Sequence, residues 1–108
     1  MTIRSFPAIH TGDGPVSLIL EWKGYKLVYG GDTRPNTWML KYAKNADIVI
    51  HEVMPMPADM VKFYNQPPQL AIRASCGFHT CGPAFGKIMS ELKPRLAIAF
   101  HWFNEEGT

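Results

Sequence analysis

Four histidines and two acids fall where apolar runs of the chain end. His10 follows IRSFPAI, Asp32 lies inside YGGDTRPN, His51 and Glu52 close DIVIHE, His79 stands in GFHTC ahead of a helix signal, and His101 closes RLAIAFH. Imidazole and carboxylate together make a borderline-soft donor set suited to zinc, manganese or iron. Each residue alone has a plainer reading. Asp32, behind Gly30 and Gly31, can mark a turn. His51 and His101 can be hydrogen-bonded structural side chains, His79 a companion of a helix cap and Glu52 a surface charge. The ordered set is harder to assign to chance, because the C-terminal ends of strands in an α/β sheet share one rim, where ligands bind.

The elements that would position these residues follow from periodicity. Residues 3 to 9 suggest a short strand that Pro7 confines to an edge. VSLILEW (16 to 22) alternates Val16, Leu18, Leu20 and Trp22 on one face, and YKLVYG (25 to 30) follows after only Lys23 and Gly24, which predicts a β-hairpin. Met39, Tyr42, Ala43 and Ala46 recur at helical spacing behind Asn36, a good N-cap, so a helix of about ten residues is expected. DIVIHE (47 to 52) and RLAIAFH (95 to 101) have the composition of buried strands. Between them, residues 54 to 69 are rich in Met and Pro and predict an excursion or lid with a helix near 57 to 65. Pro83 opens a second clear helix, with Phe85, Ile88, Met89 and Leu92 on one stripe and Pro94 as its stop. This order predicts an α/β layered domain with some parallel pairing.

Composition excludes more than it selects. A chain of 108 residues, 46% hydrophobic and 19% charged, is one small globular domain. The formal net charge of +2 is spread along the chain, so no basic stripe argues for nucleic acid. No apolar run approaches a membrane span, and the N-terminus lacks a signal-peptide layout, so the expected setting is cytoplasmic with no membrane partner. Cys76 and Cys81 lack the C-x-x-C spacing of a metal or redox motif. Two reduced, packed cysteines are the expected state, with a short-loop disulfide as the alternative.

The segments IHTGDGPVSLIL, YKLVYGGDTRP, ADIVIHE, FHT and LAIAFHW, in that order, resemble the C-terminal half of the metallo-β-lactamase superfamily, most closely its ribonuclease Z-like branch. The resemblance runs from about residue 6 to residue 103. It implies half of an αββα sandwich, a mixed sheet with helices on one face, over a single partial domain 1–108. It also implies a metal-dependent hydrolase that cleaves a phosphodiester or other ester with a metal-bound hydroxide. Carried over residue by residue, it makes His10, Asp32 and His101 metal ligands, with Asp32 bridging two ions, zinc first and manganese or iron as alternatives. His79 and Glu52 become catalytic residues beside the substrate phosphate, Glu52 fixing the His79 tautomer. Arg34 is a candidate to hold a substrate anion.

The chain departs from that family in one respect. The H-x-H-x-D-H motif that supplies two ligands to each metal is absent from the sequence. Three expectations follow. The chain is the C-terminal part of a longer hydrolase, or it pairs with a chain that supplies the missing half, or it is a dimeric, non-catalytic binding module. Half of a sandwich exposes an apolar sheet face, so a homodimer or pairing with an N-terminal half is expected. The substrate implied is a small anionic ester or phosphodiester, with RNA possible but unsupported by charge. A lactonase or sulfatase-type reaction is the alternative within the same chemistry.

Overall fold

A computed structural model describes residues 1–102. Residue 103, where the resemblance ends, lies outside the described residues. Five strands form one sheet in sequential order: β1 (Thr2–Pro7), β2 (Val16–Trp22), β3 (Tyr25–Tyr29), β4 (Ile48–Glu52) and β5 (Leu96–Phe100). β1, β2 and β3 pair antiparallel, whereas β3 with β4 and β4 with β5 pair parallel. It follows that β1, β3, β4 and β5 all run one way, and their C-terminal ends share a rim. The expected hairpin is present, with Trp22 opposite Tyr25 across a two-residue turn. Pro7 ends the edge strand β1, where its missing N–H costs no ladder bond further in.

Helices α1 (Thr37–Tyr42) and α4 (Gly82–Leu92) cover one face of this sheet. Phe6, Ile19, Val28 and Val49 from the strands meet Met39, Ala43 and Ile88 from the helical side in one core. Asn36 caps α1 as expected, its Oδ1 accepting from the Met39 amide at 2.9 Å. The helix is shorter than its periodicity predicts, because the chain leaves helical geometry at Ala43 and turns at Asn45, whose φ is +61°. Pro83 stands in the first turn of α4, and Lys93, at φ +48°, ends that helix just before Pro94.

The other face of the sheet is apolar and, among the described residues, uncovered. Leu18 is 40% exposed, Trp22 51%, Leu96 49% and Ile98 38%, and Val16, Tyr25 and Tyr29 join them. On β2 the pattern is therefore inverted relative to a lone half-buried strand. Ser17 and Ile19 point into the core, with the Ser17 hydroxyl donating to the Gly30 carbonyl at 2.7 Å, while the Val16–Leu18–Trp22 row faces out. An outward stripe of this size is what half of a two-sheet sandwich presents.

The excursion between β4 and α4 forms its own helical unit. α2 (Pro57–Tyr64), α3 (Pro68–Ile72) and a π-helical turn over Arg73–Gly77 gather round Met54, Met60 and Ala71. Cys76 and Cys81 are joined by a disulfide, which corrects the expectation of two reduced cysteines. The π-helical turn and the bend after it bring the two Cα atoms to 5.3 Å, inside the range a disulfide spans. No helix among the described residues is long and apolar enough to cross a membrane.

Candidate metal centre

The shared rim gathers five of the six candidate side chains. His10 stands in the loop after β1 rather than at the strand end, Asp32 in the turn after β3, Glu52 at the end of β4, His101 just after β5, and His79 in the loop before α4. Asp32 Oδ2 lies 3.4 Å from His101 Nε2 and 4.0 Å from His10 Nε2. The His79 ring is 4.6 Å from that of His10 and 5.0 Å from that of His101, centroid to centroid. Three imidazoles thus surround one half-exposed carboxylate.

Local backbone chemistry explains how Asp32 reaches this point. A Cβ on Gly30 would come within 3.1 Å of the His51 ring and 3.3 Å of Met39 Cε, so the chain passes the core there without a side chain. Gly31 adopts φ +65°, which only glycine takes without strain, and this turns Asp32 out over the rim. His101 also has a positive φ, +72°, uncommon for a residue with a Cβ. Backbone strain of this kind concentrates at functional sites, where surrounding structure fixes it.

The ring tautomers follow from their hydrogen bonds. His10 Nδ1 lies 3.0 Å from the Phe78 carbonyl, which can only accept, so Nδ1 carries the hydrogen and Nε2 keeps a lone pair. His79 Nδ1 lies 2.9 Å from Glu52 Oε2 and 3.0 Å from Oε1, which leaves its Nε2 free on the side of Asp32. A histidine that binds metal through one nitrogen commonly gives its other N–H to a carbonyl or carboxylate, as both of these do. One ligand atom each from His10, Asp32 and His79 lie within 4.8 Å of one another, which is compatible with a shared cation after modest contraction. The donor chemistry fits a divalent ion of the zinc, manganese or iron type.

Glu52 is fully buried behind this cluster. Burial pushes its carboxyl up to about 8, the Thr33 and Thr80 amides pull it down, and the nearby negative charge of Asp32 adds to the rise. Burial also lowers His79, reinforced by His10 and His101 and opposed by Asp32.

Thr33 ties these pieces together and was not singled out by sequence reasoning. Its amide donates to Glu52 Oε1 at 2.5 Å, and its carbonyl accepts from the Thr80 hydroxyl at 2.7 Å. Its own hydroxyl accepts from the Ile9 amide at 2.9 Å and donates to the Arg34 carbonyl. One buried residue therefore links the loops of His10, Asp32 and His79 to Glu52. The available signal was only its place after Asp32 in GGDTRP.

Two other histidine and arginine readings come out differently. His51 faces the helix layer, Nδ1 on the Glu52 carbonyl at 2.8 Å and Nε2 buried without a partner, so it takes no part in the rim cluster. Burial lowers its pKa, and the ring is neutral. Arg34 is exposed, its amide bonded to the Ile9 carbonyl at 2.7 Å, and among the described residues its guanidinium has no carboxylate partner.

Comparison with solved structures identifies the fold. The chain superposes on a metallo-β-lactamase fold protein from Bacillus subtilis, YhfI, with TM-score 0.63 and 17% identity, covering 97% of this chain and 39% of that one. The short form of human tRNase Z matches with TM-score 0.64 and 17% identity over 92% of this chain and 35% of that one. A long form of RNase Z from yeast matches with TM-score 0.64 and 22% identity, over 92% and 13%. The chain is therefore part of a metallo-β-lactamase fold.

In sequence it is 42% identical over 52 residues to mitochondrial ribonuclease Z 2 of Schizosaccharomyces pombe, and 53% identical over 30 residues to ribonuclease Z of Thermoplasma acidophilum. Those stretches cover 48% and 28% of this chain. Over those stretches the chain is similar to the two ribonucleases Z. The matched stretches amount to 8% and 10% of the two curated relatives' lengths. No family model matches.

Proposed function

We propose that this chain carries one half of the active centre of a metal-dependent phosphodiesterase. The observation that carries the reading is the Asp32 carboxylate ringed by His10, His79 and His101 on a rim shared by four strand ends. His10, Asp32 and His101 hold the cations, zinc first, with manganese or iron able to replace it. When bound, such ions supply Lewis-acid activation of water and neutralise phosphate charge at the attacking and leaving oxygens. His79 presents Nε2 to the substrate and, once that nitrogen has taken up a proton from solvent, gives it to the leaving oxygen. Glu52 holds that ring in place by accepting from its Nδ1–H. Arg34, extended from the same turn, holds the substrate anion.

The remaining ligands come from a second sheet layer that docks on the exposed Leu18, Trp22, Leu96 and Ile98 face. Two features support this: the apolar area of that face, and a donor set too small for two ions. The substrate is a phosphodiester, RNA among the candidates because the relatives are named ribonuclease Z and tRNase Z. A small ester is the other candidate, since the described rim has no basic stripe.

The test is hydrolysis of an activated aryl phosphodiester with added zinc or manganese by the chain assembled with the layer that supplies the remaining ligands, wild type against Asp32→Ala. Activity that depends on metal and disappears in the variant is the expected result. Equal rates in both proteins would remove Asp32 from the reaction, and no hydrolysis by an assembly that binds metal would favour the binding-module reading.

A further inference from the structure

We propose that the Cys76–Cys81 disulfide is a positioning clamp for the His79 loop, and that its reduction loosens both His79 and His10. The bond closes a loop over Gly77, Phe78, His79 and Thr80, so the histidine that faces Glu52 lies inside the ring. Phe78 supplies the carbonyl that fixes the His10 tautomer, so two of the rim imidazoles depend on the same few residues.

The loop is anchored unequally at its two ends. On the Thr80 side, the Met54 amide donates to the Thr80 carbonyl at 2.8 Å, the Thr80 hydroxyl reaches Thr33, and Met54 and Cys81 form a parallel bridge. On the Cys76 side, apart from the disulfide, the bonds are mostly local: the Phe78 and His79 amides turn back to the Ser75 carbonyl, the latter at 2.9 Å, Arg73 lies over the Phe78 ring at 5.6 Å, and the Ser75 hydroxyl reaches out to the Pro55 carbonyl. Cutting the S–S bond therefore releases the half of the loop that contains Phe78 and leaves Thr80 in place. His10 loses a fixed acceptor, and the His79 ring loses the tether that holds it against Glu52.

The two sulfurs also differ in access. Cys76 is exposed and Cys81 is buried. A thiolate of a dithiol reductant attacks Cys76 Sγ, and Cys81 leaves as a thiolate. The second thiol of the reductant then displaces Cys76 and closes its own disulfide, so the protein gains two electrons and two protons while the dithiol is oxidised. Ser75 Oγ, 3.4 Å from Cys81 Sγ, can turn its hydrogen from the Pro55 carbonyl to the leaving thiolate. The effect on hydrolysis rests on the phosphodiesterase reading, whereas the effect on the rings does not.

The experiment uses the full chain, air-oxidised or reduced by dithiothreitol and desalted under anaerobic conditions, with Cys76→Ser as a permanently open form. Free thiols are counted under denaturing conditions, ring nitrogens of His10 and His79 are followed by 15N NMR, and zinc affinity is measured by competition with a chromogenic chelator. The oxidised protein should contain no free thiol and show a protected Nδ1 proton on His79. Reduction, or Cys76→Ser, should remove that signal and weaken zinc binding by about 10–100-fold, the usual cost of losing outer support for metal ligands. Reoxidation should restore both in wild type only. Two free thiols that a mild oxidant fails to join would overturn the proposal. So would ring signals and zinc affinity unchanged between the two states. In a parallel assay with an activated aryl phosphodiester, absence of hydrolysis in both states, with the ring signals still switching, would count against the phosphodiesterase and leave the clamp standing.

Discussion

Glu52→Gln tests the buried carboxyl behind the rim. In the folded chain the group titrates near 8, while an unfolded glutamate titrates near 4.5. A carboxyl raised in this way binds its proton more tightly in the folded state. Its contribution to stability is complete below about pH 4.5 and is lost as pH rises through about 8. His51 and His79 are lowered, and they act in the opposite direction, fading over about one pH unit above their ordinary value of 6.5.

The Glu52 proton is therefore isolated by the difference between wild type and Glu52→Gln, in which the histidine contributions cancel. Between about pH 6.5 and 8 that difference reflects close to one proton, worth about 1.4 kcal/mol per pH unit and tapering near the upper end. Relative to the variant, the metal-free wild type should lose roughly 1–2 kcal/mol across this range. Glutamine keeps the shape and an acceptor for the Thr33 amide, and it does not titrate. Urea denaturation of chelator-treated protein at several pH values measures both curves. A wild-type stability that falls relative to that of Glu52→Gln as pH rises is expected. Parallel lines would mean that Glu52 is ionised in the folded chain, and the account of its burial would be wrong.

Two further perturbations test the scaffold. Thr33→Val removes one hydroxyl at nearly constant volume and orphans the Ile9 amide, so it should cost about 1–3 kcal/mol and weaken zinc binding by detaching the His10 loop, whereas Thr33→Ser should keep the zinc affinity. Calorimetry of unfolding and zinc titration of both variants check this, and equal zinc affinities would deny Thr33 its linking role. Paired Leu18→Lys and Ile98→Lys substitutions on the uncovered sheet face should abolish self-association or pairing without unfolding the core, since both side chains already face solvent. Light scattering and near-ultraviolet circular dichroism read the two effects separately, and unchanged assembly would place the interface elsewhere.

The legible parts of the molecule were those written in local periodicity. The strand runs ending in Tyr29, Glu52 and Phe100, and the α4 stripe of Phe85, Ile88 and Leu92, are short-range patterns, and their order alone set the rim on which Asp32, Glu52 and His101 meet. The face chosen by β2 was not legible, because Ser17–Ile19 and Leu18–Leu20 alternate equally well, and the packing of Met39, Ala43 and Ile88 against the Ile19 side decides which row faces in. Thr33 escaped notice because its partners Ile9, Glu52 and Thr80 are 24, 19 and 47 residues away, and it reaches two of them through backbone groups. The Cys76–Cys81 bond depends on a π-helical turn that has no periodic signature in the sequence.

The central claim is that the rim side chains form a metal half-site, and isothermal titration of zinc into the chelator-stripped chain tests it most directly. With two imidazoles and Asp32 as protein ligands and water completing the sphere, binding of about one ion per chain is predicted for wild type, and its loss in Asp32→Ala. Identical titrations of the two proteins, or no binding by either, would contradict the account.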